Sequence, residues 1–74
     1  MRRISIEGLL LQGAAVFGHT EVGELLIANG ADVNAKIEGM TPLDIAIELK
    51  HTTTADLLRK HGGKTKRELK AEGK

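Results

Sequence analysis

The chain contains no cysteine, tryptophan or tyrosine, and Phe17 is its only aromatic residue. The lack of cysteine excludes disulfides and thiolate chemistry, and it is compatible with the reducing cytoplasm, where we expect the protein to reside. No apolar run approaches the roughly 20 residues that a membrane-spanning helix requires, so we expect no membrane association. The formal net charge is only +1 over 74 residues, so charge alone predicts no particular partner.

A repeat is what the sequence does contain. When the chain is shifted by 32 residues, it matches itself at apolar, small and glycine positions. The matched pairs are Leu11 with Leu43, Ala14 with Ala46, His19 with His51, Thr20 with Thr52, Leu25 with Leu57, Leu26 with Leu58 and Gly30 with Gly62. Matches of these residue types in a single register predict a stack of similar structural units.

Local signals mark the boundary between the two units. Gly30 follows an apolar run, at a point where a helix end favours a residue that tolerates positive φ. Thr41 then provides a helix cap, and Pro42 fits the first helical position because its missing N–H costs nothing there. Asp44 stands three residues after the cap, as in a capping box. The sequence therefore predicts that one helix ends just before Gly30 and that another begins at Pro42.

Both units resemble the ankyrin repeat. Residues 14–35 read AAVFGHTEVGELLIANGADVNA, against a family pattern of roughly A-A-x-x-G-H-x-E-V-V-x-L-L-L-x-x-G-A-D-V-N-A, and residues 41–62 agree in the same register. The resemblance implies an all-α helical solenoid of about two helix-turn-helix repeats with a short β-like finger between them. We expect helices at about 9–17, 21–28, 42–49, 53–60 and 66–71. We expect a single domain, divided into a divergent N-terminal segment (1–8), a first repeat (9–40), a second repeat (41–63) and a basic C-terminal cap (64–74).

The first copy and the finger depart from the family pattern. The spacing of 32 residues is one shorter than the usual ankyrin repeat, so we expect a tighter turn in the finger at residues 36–40. Residues 9–13 read LLLQG where the family has Thr-Pro-Leu-His-x, so the usual helix cap is missing. We therefore expect the first helix to begin earlier, with Ser5 as its cap.

The second copy departs in a different way. Asp44 replaces the family histidine, and residues 52–54 are all threonine, which predicts a polar terminal repeat that faces water. Beyond it, Thr65 and Glu68 have the spacing of another capping box, which predicts a short polar helix.

No arrangement of residues predicts catalysis, a metal site or a cofactor. His19 and His51 are repeat-equivalent, so each occupies the same structural position, and their separation is not that of a metal pair. Residues 62–65 (GGKT) resemble part of a phosphate loop but lack its upstream glycine and its preceding strand. No serine or threonine has a matched base that would activate it as a nucleophile. We therefore expect that the protein is not an enzyme.

The C-terminal part of the chain is basic. From Arg59 onward it carries seven basic residues against two glutamates. Such a tail can attract phosphate backbones or anionic lipid, but it has no aromatic residue for base stacking and no long apolar face for insertion. The favoured interpretation is a solvated cap whose cations complement helix C-termini, and nucleic acid is not the expected partner.

The resemblance implies a protein partner. In ankyrin stacks the first helices and the fingers line a concave face whose variable residues recognise another protein. Carried over by position, the partner-binding residues expected here are Val16, Phe17, Asn29, Ile37, Glu38, Met40, Glu48, Leu49 and His61. Four of these are expected to form one apolar patch with an acidic rim, namely Val16, Phe17, Met40 and Leu49. The alternative places Phe17 and Leu49 in the core between the repeats.

The first repeat also leaves an apolar surface on its N-terminal side. About three stacked repeats are usually needed for a stable core, and two are recognisable in this sequence. We expect Leu9, Leu10 and Val16 to mediate self-association, in a two-fold dimer that buries the same patch on both copies. The alternative is that the chain is the tail of a longer array. The competing hypothesis for function is therefore structural: a self-associating or capping element of a repeat array, with no ligand of its own.

Overall fold

The computed structural model describes residues 6–73, which form five helices. In chain order these are α1 (Ile6–Phe17), α2 (Thr20–Ala28), α3 (Pro42–Glu48), α4 (Thr52–Lys60) and α5 (Lys66–Gly73). We call the α1–α2 pair repeat one and the α3–α4 pair repeat two. Within residues 6–73 there is no strand beyond one isolated bridge, so the expected all-α class is confirmed.

Helix α1 begins earlier than the family pattern places it. It is already helical at Ile6, as the missing cap motif at residues 9–13 predicted. Ser5, the expected cap, lies outside the described residues. Glu7 stands in the first turn, where a negative charge is favoured by the helix dipole.

The two repeats share their backbone geometry. Within each pair the helices are joined through one residue in the left-handed region, which is Gly18 (φ +69°) in repeat one and Lys50 (φ +63°) in repeat two. The histidine that follows closes the turn by donating its N–H to an alanine carbonyl of the preceding helix, at 2.9 and 2.8 Å. A non-glycine residue at such a φ costs about 1 kcal/mol. Residues 32 apart are therefore structurally equivalent, and their surroundings can be compared directly.

The finger between the repeats is a minimal hairpin. Ile37 and Met40 form an antiparallel bridge in which each donates its N–H to the other's carbonyl, at 3.0 and 3.1 Å. The two residues between them, Glu38 (φ 53°) and Gly39 (φ 79°), both have positive φ, as in a type I′ turn. This turn is the tightest way to reverse a hairpin, in agreement with the tighter finger expected from the 32-residue spacing. Gln12 of α1 holds it in place by donating from Nε2 to the Met40 carbonyl at 2.7 Å.

The core lies where the four helices of the two repeats meet. Its buried cluster consists of Leu11, Ala15, Ala31, Leu43, Ala46 and Leu58. Helix α1 packs against α2 and α3, and α4 packs against α3 and α2. The small residues of the cluster let the first helices approach each other closely, while the leucines fill the space behind them.

Helices α3 and α5 both begin with the capping boxes that the sequence predicted. The Thr41 hydroxyl accepts a hydrogen bond from the Asp44 N–H at 3.2 Å, and Asp44 Oδ2 accepts one from the Thr41 N–H at 3.0 Å. The Thr41 hydroxyl also donates to the Lys64 carbonyl at 2.7 Å. Thr65 and Glu68 repeat the box at α5, with distances of 2.9 and 3.1 Å. Thr41 is fully buried, so its cap also joins repeat two to the segment that leads into α5.

Helix α5 follows repeat two without a finger, and it is held mainly by hydrogen bonds. Asn34 accepts from the Lys64 N–H at 2.7 Å and donates to the Gly62 carbonyl at 3.2 Å. Asp44 accepts from the Lys66 N–H at 2.9 Å. No residue of α5 is buried, so α5 is a polar cover on the C-terminal side of repeat two.

The direct passage into α5 requires glycine at position 63. A Cβ on Gly63 would lie 2.6 Å from the Leu58 carbonyl oxygen, closer than real Cβ contacts occur. The repeat-equivalent residue is Ala31, which leads instead into the finger and tolerates a side chain. The two copies therefore diverge at this position because their downstream connections differ.

Candidate protein-binding face

Four of the predicted partner-binding residues lie at the ends of α1 and α3, next to the turns that lead to α2 and α4. Val16 and Phe17 end α1, and the repeat-equivalent residues Glu48 and Leu49 end α3. All four are exposed. Phe17 is 71% exposed and Leu49 is 47% exposed, so the alternative that placed them in the core between the repeats is wrong. We call these four residues the turn-end group.

His51 fixes the geometry of the turn-end group. Its Nε2 lies 3.1 Å from the Val16 carbonyl oxygen, which accepts the hydrogen bond. Its ring also packs on Gly18, where an added Cβ would lie 2.9 Å from Nδ1. The turn of repeat two is therefore attached to the end of α1. His19, its repeat equivalent, instead places its ring 6.0 Å from the ring of Phe17, centroid to centroid.

Three more predicted residues lie in the finger. Ile37 and Met40 are half-buried, and Glu38 is exposed at the tip of the turn. Lys66 of α5 brings its Nζ to 3.8 Å from the Met40 sulfur, so a cation borders this group. We call Ile37, Glu38 and Met40 the finger group.

The two groups lie at opposite ends of α3. Met40 precedes this helix and Leu49 follows it, and its seven residues rise by about 10 Å. The expected patch of Phe17, Val16, Leu49 and Met40 is therefore divided into an apolar turn-end part and a finger part. A partner that contacts both must extend along α3.

Asn29 and His61 occupy the C-caps of α2 and α4, and both are exposed. The Asn29 side chain donates to the Leu25 carbonyl of its own helix at 2.8 Å, so part of its hydrogen-bonding capacity is used locally. Both lie at the end of the second helices from which the chain leads on to the finger or to α5. They extend the finger side of the surface rather than the turn-end group.

The residues expected to mediate self-association are exposed as well. Leu9, Leu10 and Val16 all have accessible side chains, whereas Leu11, which directly follows Leu9 and Leu10, is buried in the core. Whether these residues meet a second copy stays a prediction.

Several exposed apolar residues were not among the predicted sites. They are Ile6 on α1, Val22 and Leu25 on α2, and Ile47 on α3. Sequence reasoning missed them because all but Ile6 fit a helical apolar pattern that normally indicates burial. The available signal was the repeat comparison, since Val22 and Leu25 align with Thr54 and Leu57 and the same position can be exposed in one repeat and buried in the other.

Other kinds of site have little support in the described part of the chain. Within residues 6–73, no group of three or more His, Asp or Glu residues is arranged to hold a metal ion. Over the same range, no helix has the length and apolar character needed to cross a membrane. The turns carry an open hollow lined by Gly18, Thr20, Lys50, His51 and Thr52 to Thr54, in which polar surface predominates.

Comparison with known protein families agrees with this architecture. A family model described as "Ankyrin repeats (3 copies)" matches residues 7–68, which run from the first turn of α1 into α5. The sequence shows two copies, and the match extends beyond them into α5. No curated protein matches the chain.

Proposed function

Because the chain belongs to the ankyrin repeat family, whose repeats generally serve as non-catalytic protein-interaction modules, we propose that it binds a protein partner. The binding surface combines the turn-end group with the finger group, and Asn29 and His61 lie at its edge. We call this surface the recognition face. The proposal is of a cytoplasmic binding protein without an enzymatic activity of its own.

The observation that supports this proposal most is the exposure of one position in both repeats. Phe17 is 71% exposed in repeat one, and its equivalent Leu49 is 47% exposed in repeat two. Repeat two is covered on its N-terminal side by repeat one, yet Leu49 remains accessible. Phe17 likewise remains accessible although repeat two follows repeat one, so a neighbouring repeat on either side leaves this position exposed, and a large apolar side chain lies on the surface of each unit.

The chemistry of the recognition face favours a partner with an apolar pocket. Phe17 has a rigid ring that loses little conformational entropy on burial, and aromatic anchors of this kind contribute much of the energy at interfaces. Met40 adds a flexible apolar side chain that adapts to its surroundings. Glu38 and Glu48 provide acidic groups beside these anchors, so we expect basic residues around the partner's pocket.

The alternative function is structural, as a capping element of a repeat array with no ligand of its own. The capped C-terminal side favours it, since α5 covers repeat two with a polar helix that buries none of its own residues. The two functions differ in what they require of Phe17 and Leu49, because a capping element does not need either side chain.

Capture of proteins from extracts of the source cells, followed by mass spectrometry, tests the proposal. Three immobilised chains are compared: the wild type, the double variant Phe17→Ser with Leu49→Ser, and a control with Ile6→Ser and Ile47→Ser. Ile6 and Ile47 are 70% and 48% exposed, close to the values of Phe17 and Leu49, but they lie outside the recognition face. Loss of two hot-spot side chains should lower the affinity for a partner by at least about 30-fold, equal to about 2 kcal/mol.

A protein that binds the wild type and the control but not the Phe17 and Leu49 variant would identify the partner, and its affinity would then be measured by calorimetry. Circular dichroism must show that all three chains are folded. An identical set of captured proteins on all three chains would contradict the proposal and favour the structural alternative.

A further inference from the structure

Repeat-equivalent positions reveal a second surface that is independent of the recognition face. Val22 of α2 is 49% exposed, while its equivalent Thr54 of α4 is 3% exposed. Leu25 is 64% exposed, while its equivalent Leu57 is 8% exposed. Because the two repeats share one backbone geometry, these differences arise from what surrounds each repeat.

Contacts with repeat one are what bury the two residues of α4. The Thr54 hydroxyl lies 2.9 Å from the hydroxyl of Thr20 on α2. The Leu57 side chain packs over Gly23 of α2, where an added Cβ would lie 3.7 Å from Leu57 Cδ2. The positions occupied by Thr54 and Leu57 are therefore those through which one repeat stacks on the repeat before it.

The first helices show the same contrast. Leu10 of α1 is 53% exposed, and its equivalent Pro42 is fully buried at the start of α3, which packs against α1. Leu10, Val22 and Leu25 thus occupy the three positions that stacking covers in repeat two. We call them the stacking face of repeat one.

The remaining residues expected to mediate self-association do not belong to this face. Val16 and its equivalent Glu48 are both exposed, so stacking does not cover that position. The equivalent of Leu9 is Thr41, whose burial involves Asp44 and Lys64 on the downstream side. Of the three, only Leu10 lies at a position that a preceding unit would bury.

We propose that the stacking face binds a further ankyrin-type helix pair, which packs in front of α1 and α2 as repeat one packs in front of repeat two. Such a pair would present small residues like Thr20 and Gly23 toward Leu25, because those are the residues that receive Leu57. The interface is a continuation of the stack already present. An outer face that meets no other repeat is normally polar, whereas the stacking face is apolar.

A second copy of this chain fits the stacking face less well. Helices α1 and α2 carry three glutamates (Glu7, Glu21 and Glu24) and no lysine or arginine. Two copies joined through this face would bring two such acidic repeats together, which is unfavourable. Head-to-tail stacking of copies is opposed by α5, which already covers the downstream side of repeat two with polar residues.

An internal duplication tests the proposal directly. Residues 1–40 are followed by residues 9–74, so that Leu9 takes the place of Thr41 in the original register. The inner copies of Leu10, Val22 and Leu25 then meet the α1–α2 pair of the outer copy. We expect a single cooperative unfolding transition, with a larger urea m-value and a thermal midpoint at least about 5 °C above that of the parent chain.

Matched substitutions separate stacking from a general effect of chain length. Leu25→Glu in the inner copy should abolish the gain in midpoint, whereas Leu25→Glu in the outer copy, where the residue stays exposed, should preserve it. An added repeat that unfolds independently at its own midpoint would overturn the proposal. So would light scattering that shows a stable dimer of the parent chain which Leu25→Glu dissociates, because the occupant would then be a second copy.

Discussion

The two ends of this stack are completed in different ways. On the C-terminal side, Thr20 of repeat one, which contacts Thr54 of repeat two, corresponds to the exposed Thr52, and the half-buried Ile27 corresponds to the exposed Arg59. Arg59 pairs with Glu68 of α5 at 3.4 Å. On the N-terminal side, Val22 and Leu25 remain apolar and uncovered. The two sides of the stack therefore differ in the polarity and the accessibility of equivalent positions.

Helix α5 does not cover all the apolar residues on the C-terminal side of repeat two. Ile47 is exposed on α3, whereas its equivalent Ala15 is buried in the core between α1 and α3. Helix α5 docks near the beginning of α3, through Thr41 and Asp44, and leaves the later part of that helix accessible. The comparison shows that a cap can satisfy hydrogen bonds at one end of a helix without covering its apolar residues along the whole length.

The largest effect expected from this comparison is at the pair Leu57 and Leu25. Leu57→Ala removes a side chain that is packed between the repeats and should lower the free energy of unfolding by about 2–4 kcal/mol. Leu25→Ala alters the same position of repeat one, where the side chain is exposed. It should change the free energy of unfolding by less than about 0.5 kcal/mol. Urea unfolding followed by circular dichroism measures both.

If Leu57→Ala and Leu25→Ala lowered the free energy of unfolding equally, the contrast between the two repeats would be wrong, because both residues would then be buried in solution. Leu58→Ala, a substitution at a core residue that is only 1% exposed, serves as the reference for complete burial. In a chain this small, the free energy lost in Leu57→Ala can exceed the total free energy of unfolding. The variants are then compared by their thermal midpoints in a stabilising buffer instead of by urea unfolding.

A smaller difference is expected between the two capping threonines. Thr41→Ala removes a buried cap and leaves the Lys64 carbonyl without its hydroxyl donor, so it should cost about 2–3 kcal/mol. Thr65→Ala removes the more accessible cap of α5 and should cost about 0.5–1 kcal/mol. Thr41→Ser, which keeps the hydroxyl, is the matched control and should recover most of the loss. A Thr65 variant as unstable as the Thr41 variant would show that α5 is integral to the core rather than a cover.

Local chemistry was the part of the fold that the sequence could predict. The capping boxes of Thr41 and Thr65 depend on residues three apart, and the turn at Glu38 and Gly39 depends on two adjacent residues, so a single sequence contains all the information. The structural equivalence of Leu11 and Leu43 was predictable because the repeat aligns both leucines at one apolar position.

Burial that depends on a neighbouring unit could not be predicted from pattern alone. Val22 and Leu25 have the spacing of buried helix residues, and their exposure follows from what lies beside repeat one. The separation of Met40 from the turn-end group is also a tertiary property, because it is set by the length of α3 between residues that the family pattern assigns to one face. For the same reason the sequence named Phe17 as a candidate but not the extent of its exposure.

The smallest effect concerns pH and the cap of α5. The Thr65 backbone N–H, which donates to the Glu68 carboxylate, lowers the pKa of Glu68, and the positive charge of Arg59 adds to this. Because the pKa is lower in the folded state than in the unfolded chain, Glu68 stabilises the fold at pH values above the ordinary glutamate pKa of about 4.3. The contribution is lost as the pH falls through the folded-state pKa. Glu68→Gln should therefore be less stable than the wild type at neutral pH, and the difference should shrink at acidic pH.

Titration of the Glu68 carboxyl and of the Thr65 amide by NMR measures this effect without requiring a large change in stability. Both signals should move together, with a midpoint below that of an unstructured glutamate. Glu72→Gln is the control, because it removes an exposed ion pair with Lys64 but no helix cap, and it should leave the Thr65 amide unchanged. Added salt should weaken the part of the Glu68 pKa lowering that is due to Arg59, and it should leave the part that is due to the Thr65 N–H. If the Thr65 amide shows no transition with the Glu68 carboxyl, the capping box of α5 is not formed in solution.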